Sequence, residues 1–186
     1  MNISVFCGST LPRNGEIVRA ARELGRAIAE GGHTLLYGGS NLGLMGEVSG
    51  AALECGGTVV GVIPTLFSEE IILSQTVTEL VRVGSMAERK AYLIAHSDAF
   101  IALPGGIGTL DEVSEVMVAN QLQIVNNRRT LDDTFRAKPM ILLNLNGFYA
   151  PFLAQMGLIH EQGLMRSDGG LRVAETVEEA IKLLSL

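Results

Sequence analysis

The stretch "AFIALPGGIGTLDE" (Ala99–Glu112) decides the fold. Its opening residues are apolar without alternation, the pattern of a strand covered on both faces, as in a parallel sheet. Pro104 ends the run, and Gly105 and Gly106 permit a tight turn. Helical spacing follows over 109–125. A buried strand leading through a glycine turn into a helix is one half of a βαβ unit. The same turn raises a chemical question. Amides at a helix start, helped by the helix dipole, attract an anion, and Thr109 can add a hydroxyl donor. Asp111 and Glu112 follow at once, and carboxylates repel anions.

The pattern repeats on both sides. β-branched or apolar runs at 3–8, 33–39, 58–64, 79–84, 139–147 and 171–175 predict further strands. Helical spacing predicts helices over 14–31, 44–57, 85–97, 148–162 and 176–186. The Gly31-Gly32 and Gly56-Gly57 pairs close two of these helices. Ser85, with Glu88 three residues on, forms a capping box at another. The expected architecture is a single α/β domain over residues 1–186, a doubly wound and mainly parallel sheet with helices on both faces. Ligands of such sheets bind beyond the carboxyl ends of the strands, where Gly8, Gly38-Gly39 and Gly105-Gly106 all fall. The polar stretch "VNNRRTLDDTFRAK" (125–138) is expected to be a solvated loop between helix and strand.

Composition narrows the function. The 186 residues are 47% hydrophobic, with a mean hydropathy of +0.32, so a packed core is expected. A net charge of −6 argues against a nucleic-acid partner, which needs a basic face, but allows a small anion in a local pocket. No apolar run is long enough for a membrane span. The N-terminal "MNISVFCGS" has no basic n-region and reads as a strand, so a cytoplasmic protein is expected. Cys7 and Cys55 make neither a disulfide framework nor a metal-ligand spacing, and both read as buried small hydrophobes.

Several motifs are missing. The first strand-to-helix turn, "CGSTLPRNG" (7–15), lacks G-x-G-x-x-G, and no G-x-x-x-x-G-K-[ST], G-x-S-x-G or H-E-x-x-H is present. No cofactor or metal is called for. What remains is a set of glycine turns and charged residues. Gly38, Gly39, Gly43 and Gly46 crowd "YGGSNLGLMG" (37–46), where a backbone can approach a ligand closely. Arg89 and Lys90 sit about 100° apart on the helix that leads into the phosphate-type turn. Thr109-x-x-Glu112 is a textual capping box, so Glu112 reads equally as a cap and as a catalyst, while Asp111 reads as ordinary dipole compensation.

Three segments, "FCGST" (6–10), "YGGSNLGLMG" (37–46) and "MAERKAYLIAHSDAFIALPGGIGTLDE" (86–112), together resemble the LONELY GUY phosphoribohydrolases, proteins often mislabelled lysine decarboxylases. The resemblance runs from Val5 to about Tyr149. It implies a Rossmann-like homodimer that hydrolyses the N-glycosidic bond of nucleoside 5′-monophosphates, cytokinin nucleotides or AMP, to free base and ribose 5-phosphate. By motif, Arg89 and Glu112 correspond to the catalytic pair. Lys90 and the turn Gly105, Gly106, Gly108 and Thr109 correspond to substrate-binding positions, as do Ser9 and Gly39 in the other matching segments. Glu70, in "SEEIILSQTV" (68–77), aligns with a binding glutamate. Where plant members carry Thr-Trp before "AQL", Val118-Ala119 here precede "NQL", which removes a polar contact and an aromatic wall near the base. The competing class is a non-catalytic nucleotide-binding or carrier protein, which would use the same glycines and keep Glu112 as a cap.

Overall fold

The computed structural model describes residues 1–67, 77–130, 137–165 and 167–184. Among them, seven strands form one sheet: β1 (Asn2–Phe6), β2 (Thr34–Tyr37), β3 (Thr58–Pro64), β4 (Glu79–Val83), β5 (Ala99–Ala102), β6 (Met140–Leu143) and β7 (Leu171–Ala174). Their order is β4-β3-β2-β1-β5-β6-β7, and every neighbouring pair is parallel. The chain winds outward in one direction from β1 to β4 and in the other from β5 to β7. The switch falls between β1 and β5, which opens a crevice at their carboxyl ends.

Alternation along the strands assigns the two faces. Ile3 and Val5 of the first strand and Cys7 just beyond it, with Leu35 and Tyr37 of the second, pack under α1 (Gly15–Glu30), α2 (Gly43–Glu54) and, later in the chain, α6 (Val177–Leu183). Phe6, Leu36, Phe100, Ala102, Met140 and Leu142 face the other way. They meet α3 (Met86–His96), α4 (Ile107–Thr130) and α5 (Ala150–Glu161). Both faces are covered, so the central strands show no polar side.

Local chemistry sets the helix ends. The Asn14 side chain accepts the Glu16 amide at 2.9 Å, starting α1. Gly32 closes it with φ +68°, while the His33 amide reaches back to the Ile28 carbonyl at 3.0 Å. Ser85 accepts the Glu88 amide at 3.1 Å, and the Glu88 carboxylate returns to the Gly84 amide at 2.8 Å, fixing where α3 begins.

Helices α1 and α2 pack so closely that a Cβ built on Gly25 would lie 2.2 Å from the Val48 carbonyl oxygen. Gly25→Ala is therefore expected to destabilise the protein by about 1–3 kcal/mol, although alanine is the better helix former by about 1 kcal/mol. The denaturant midpoint measures this, and a rise in midpoint would contradict it.

Three expectations need correction. Helix α4 runs to Thr130, so the first part of the expected 125–138 loop is helical; residues 131–136 lie outside the described residues. "VNNRRT" contains neither Gly nor Pro, so nothing local stops the helix there. Strand β6 ends at Leu143, and a 3-10 turn over Leu145–Gly147, with Asn146 at φ +53°, replaces the rest of the expected strand. Cys7 is buried as expected, but Cys55 is exposed in the turn that ends α2. No helix among the described residues is long and apolar enough to cross a membrane.

Candidate active site

A cavity of about 740 Å³ opens at the carboxyl ends of β1 and β5. Its floor is Cys7 and Gly8. One wall is the turn Pro104–Thr109, and a second carries Gly38, Ser40 and Met45. Arg89 and Glu112 line it from α3 and α4. The turn is shaped by one contact: a Cβ on Gly105 would sit 2.2 Å from Thr109 Oγ1. Thr109 and Leu110 both donate their amides to the Gly106 carbonyl, at 3.1 and 3.2 Å. Gly106 thus occupies the cap position, and the amides of Ile107 and Gly108 in the first turn have no intrahelical acceptor. They form the donor end of the site. Gly105→Ala is expected to weaken binding of inorganic phosphate at least tenfold by pushing Thr109 out of the turn, about 1.4 kcal/mol or more. Titration calorimetry measures it, and unchanged affinity would refute the cradle's dependence on that contact.

This geometry excludes the capping reading of Glu112. Thr109 lies inside the helix, not at its cap, so Thr109-x-x-Glu112 is not a capping box. The Glu112 carboxylate instead accepts from the Arg89 guanidinium at 2.7 Å. Both residues are nearly buried, Arg89 at 8% and Glu112 at 7% exposure. Gly38 makes room for the pair, since a Cβ there would come within 3.2 Å of the guanidinium. Arg89 Nε is buried with no hydrogen-bond partner among the described residues. A buried donor of this kind is costly unless water or a ligand meets it.

Burial pushes the Glu112 carboxyl above its ordinary pKa, while the charge and hydrogen bond of Arg89 pull it back. Cys7 lies in the same field. Burial, reinforced by Glu112 and opposed by Arg89, raises its thiol far enough to keep it protonated. It contributes shape to the floor rather than a nucleophile.

The other sequence-predicted residues divide. Ser9, Gly105, Gly106, Gly108 and Thr109 line the cavity. Gly39 and Lys90 do not. Gly39 supports the turn behind Gly38 with φ +78°. Lys90 pairs with Asp111 at 2.9 Å and also with Glu115, which raises its pKa through those hydrogen bonds. Asp111 is thus a partner of Lys90 rather than only a helix-end charge. Glu70 lies outside the described residues. Sequence reading missed much of the apolar wall, including Leu11, Leu42, Phe67 and Phe148, because apolar residues near a strand end look the same as core.

A family model described as "Possible lysine decarboxylase" matches residues 45–184. The chain is 42% identical over 166 residues to a cytokinin riboside 5′-monophosphate phosphoribohydrolase of Oryza sativa subsp. japonica, covering 89% of this chain and 64% of the rice protein. It is 42% identical over 154 residues to the protein of the same name from Rhodococcoides fascians, covering 82% and 72%. The chain belongs to the LONELY GUY family. It spans 57% to 64% of the length of three rice members that it matches. Among solved structures, it resembles the molybdenum cofactor carrier protein of Chlamydomonas reinhardtii, with a TM-score of 0.71 and 26% identity over 100% of this chain and 98% of that one. It also resembles the molybdenum cofactor binding protein of Rippkaea orientalis, with a TM-score of 0.69 and 26% identity over 99% and 94%.

The decarboxylase label does not fit this LONELY GUY chain. Amino-acid decarboxylation on pyridoxal phosphate needs a Schiff-base lysine, and the three lysines are all placed elsewhere. Lys90 is ion-paired outside the cavity, and Lys182 pairs with Glu178 on α6. Lys138 donates to the Ile94 carbonyl at the opposite, amino end of the sheet, just before β6. Among the described residues, no group of three or more His, Cys, Asp and Glu side chains gathers as a metal site.

Proposed function

We propose that this chain is a nucleoside 5′-monophosphate phosphoribohydrolase that releases a free base and ribose 5-phosphate from AMP or cytokinin nucleotides. The observation that carries the reading is the buried Arg89–Glu112 pair facing the same cavity as the anion cradle of α4. The ligand such a site suits is anionic at one end and becomes cationic nearby. A nucleotide phosphate held at Ile107–Thr109 would anchor the ribose. The C1′–N bond then breaks with positive charge developing on the sugar. The Glu112 carboxylate stabilises that charge and orients or deprotonates the attacking water, whose hydroxyl goes to C1′. The departing base carries away the proton. Arg89 keeps Glu112 ionised and aimed, and its unused Nε–H is free to meet the ligand.

Incubation with a panel of purine and cytokinin 5′-monophosphates tests this, with chromatographic detection of base and ribose 5-phosphate. Release of free phosphate in place of ribose 5-phosphate would identify a phosphatase. The likeness to molybdenum cofactor carriers supports one other reading, a carrier, and tight binding across the panel without base release would favour it. We further propose that the chain works in the cytoplasm as a homodimer. Exposed Val118 and Leu122, one turn apart on α4, suit a partner surface, and light scattering of the purified chain reports the mass.

A further inference from the structure

Leu103 is the last residue before the Pro104–Thr109 turn, and the sheet ceases to hold the chain there. Its amide still donates to the Phe6 carbonyl at 3.0 Å. On the other side β6 has already departed: the β5–β6 register ends with Ala102 opposite Leu142, and the Asn144 amide donates to the Ala174 carbonyl instead. Pro104 has no N–H to offer. The Leu103 carbonyl is held by the Tyr149 hydroxyl, which donates to it at 2.6 Å.

Tyr149 is itself tightly placed. It is buried, and its ring meets Phe148 and Phe152 edge-on, with centroids at 5.1 and 6.5 Å. Its amide donates to Asn144 Oδ1 at 2.7 Å, and Asn144 Nδ2 donates to the Glu175 carboxylate at 2.9 Å. One hydrogen-bonded chain therefore runs from the end of β7, past the end of β6, to the end of β5. Burial holds the phenol protonated, so it remains a donor. Phe148 lines the cavity, but Tyr149 does not. A phenylalanine would fill the same space. The amide of Leu103 keeps the start of the turn on β1, and the Tyr149 hydroxyl ties its carbonyl to the β6 and β7 side.

We infer that Tyr149 is a positioning residue: through the Leu103 carbonyl its hydroxyl sets the aim of the Gly106–Thr109 anion cradle without touching the substrate. The inference rests on the reading that this cradle holds the nucleotide phosphate.

The test compares Tyr149→Phe with Phe152→Leu, which loosens the same cluster but leaves the hydroxyl in place. Titration calorimetry with inorganic phosphate and with ribose 5-phosphate gives affinities independent of turnover, and steady-state base release from AMP gives kcat and KM. Tyr149→Phe is expected to weaken both anions about three- to tenfold and to raise KM in parallel, with kcat within about twofold, the size expected for one hydrogen bond. Phe152→Leu is expected to lower the unfolding midpoint while leaving both affinities unchanged. Unaltered affinities in Tyr149→Phe would overturn the inference, as would an equal loss in Phe152→Leu. If the unmodified chain binds neither anion, the cradle and the positioning role both fail. If it binds them but releases no base, only the hydrolase reading fails, and the two affinities still decide the role of Tyr149.

Discussion

Glu112→Gln is expected to lower base release from AMP about 10³-fold while nucleotide affinity stays within about threefold. The substitution keeps the size of the side chain and an acceptor for Arg89. It removes the negative charge that the developing sugar cation needs and the base that water needs. Because those demands arise only in the transition state, the loss falls on kcat rather than KM. Retention of near-normal turnover would remove Glu112 from the mechanism.

The pH dependence follows from the same side chain. Burial raises the Glu112 carboxyl above its ordinary value, and the ionised form is the active one. The acid limb of kcat should therefore lie higher than that of an ordinary glutamate. Arg89→Met, which removes the charge and the hydrogen bond that do most to lower it and leaves only the weaker pull of Lys90, should move that limb to still higher pH. A limb that stays in place would show that Arg89 does not hold the carboxylate ionised.

Arg89→Met alone is also expected to destabilise the fold by about 3–5 kcal/mol, since it leaves a buried carboxylate without its partner. Arg89→Met combined with Glu112→Leu should recover most of that stability, or exceed the parent, while remaining inactive. The linkage has the same sign. A carboxyl whose folded pKa is raised costs nothing below its unfolded value, and the native state loses stability as pH rises through the folded one. At neutral pH the ionised Glu112 is therefore a burden on the fold, relieved in part by Arg89. Unfolding midpoints of the two variants near pH 7 measure this. A double variant less stable than Arg89→Met would show that the pair is kept for stability rather than for chemistry.

The sheet was legible because its punctuation is local. Gly31-Gly32, the Ser85–Glu88 box and the unbroken apolar run at 99–102 each act on their own few residues. The far end of α4 was not, because no Gly or Pro stands between Ile124 and Thr130. The turn at 105–109 was readable as an anion cradle from its glycines alone. Whether Glu112 capped its helix was not, since the text of a capping box is the same wherever the cap falls, and Gly106 holds that position here. The Arg89–Glu112 contact joins residues 23 apart on separate helices, so it depends on the sheet that brings α3 beside α4. Tyr149 was invisible for another reason: its partner is a backbone carbonyl, which any residue could supply.

Arg89 and Lys90 are consecutive on α3 and reach neighbouring positions on one face of the first turns of α4, one to the buried Glu112 and one to the more exposed Asp111 and Glu115. The outer bridges are exposed and add little stability. Together, however, the contacts span about 100° of one α4 face, and rolling or sliding that helix against α3 would break one of them. The wall that carries the carboxylate is thus tied to α3 at both an inner and an outer point. Among the described residues, the loops Ser9–Pro12 and Ser40–Leu42 supply a separate part of the lining without those bridges. Substitutions there should alter how fast ligands enter and leave, and leave the chemistry at Glu112 as it is.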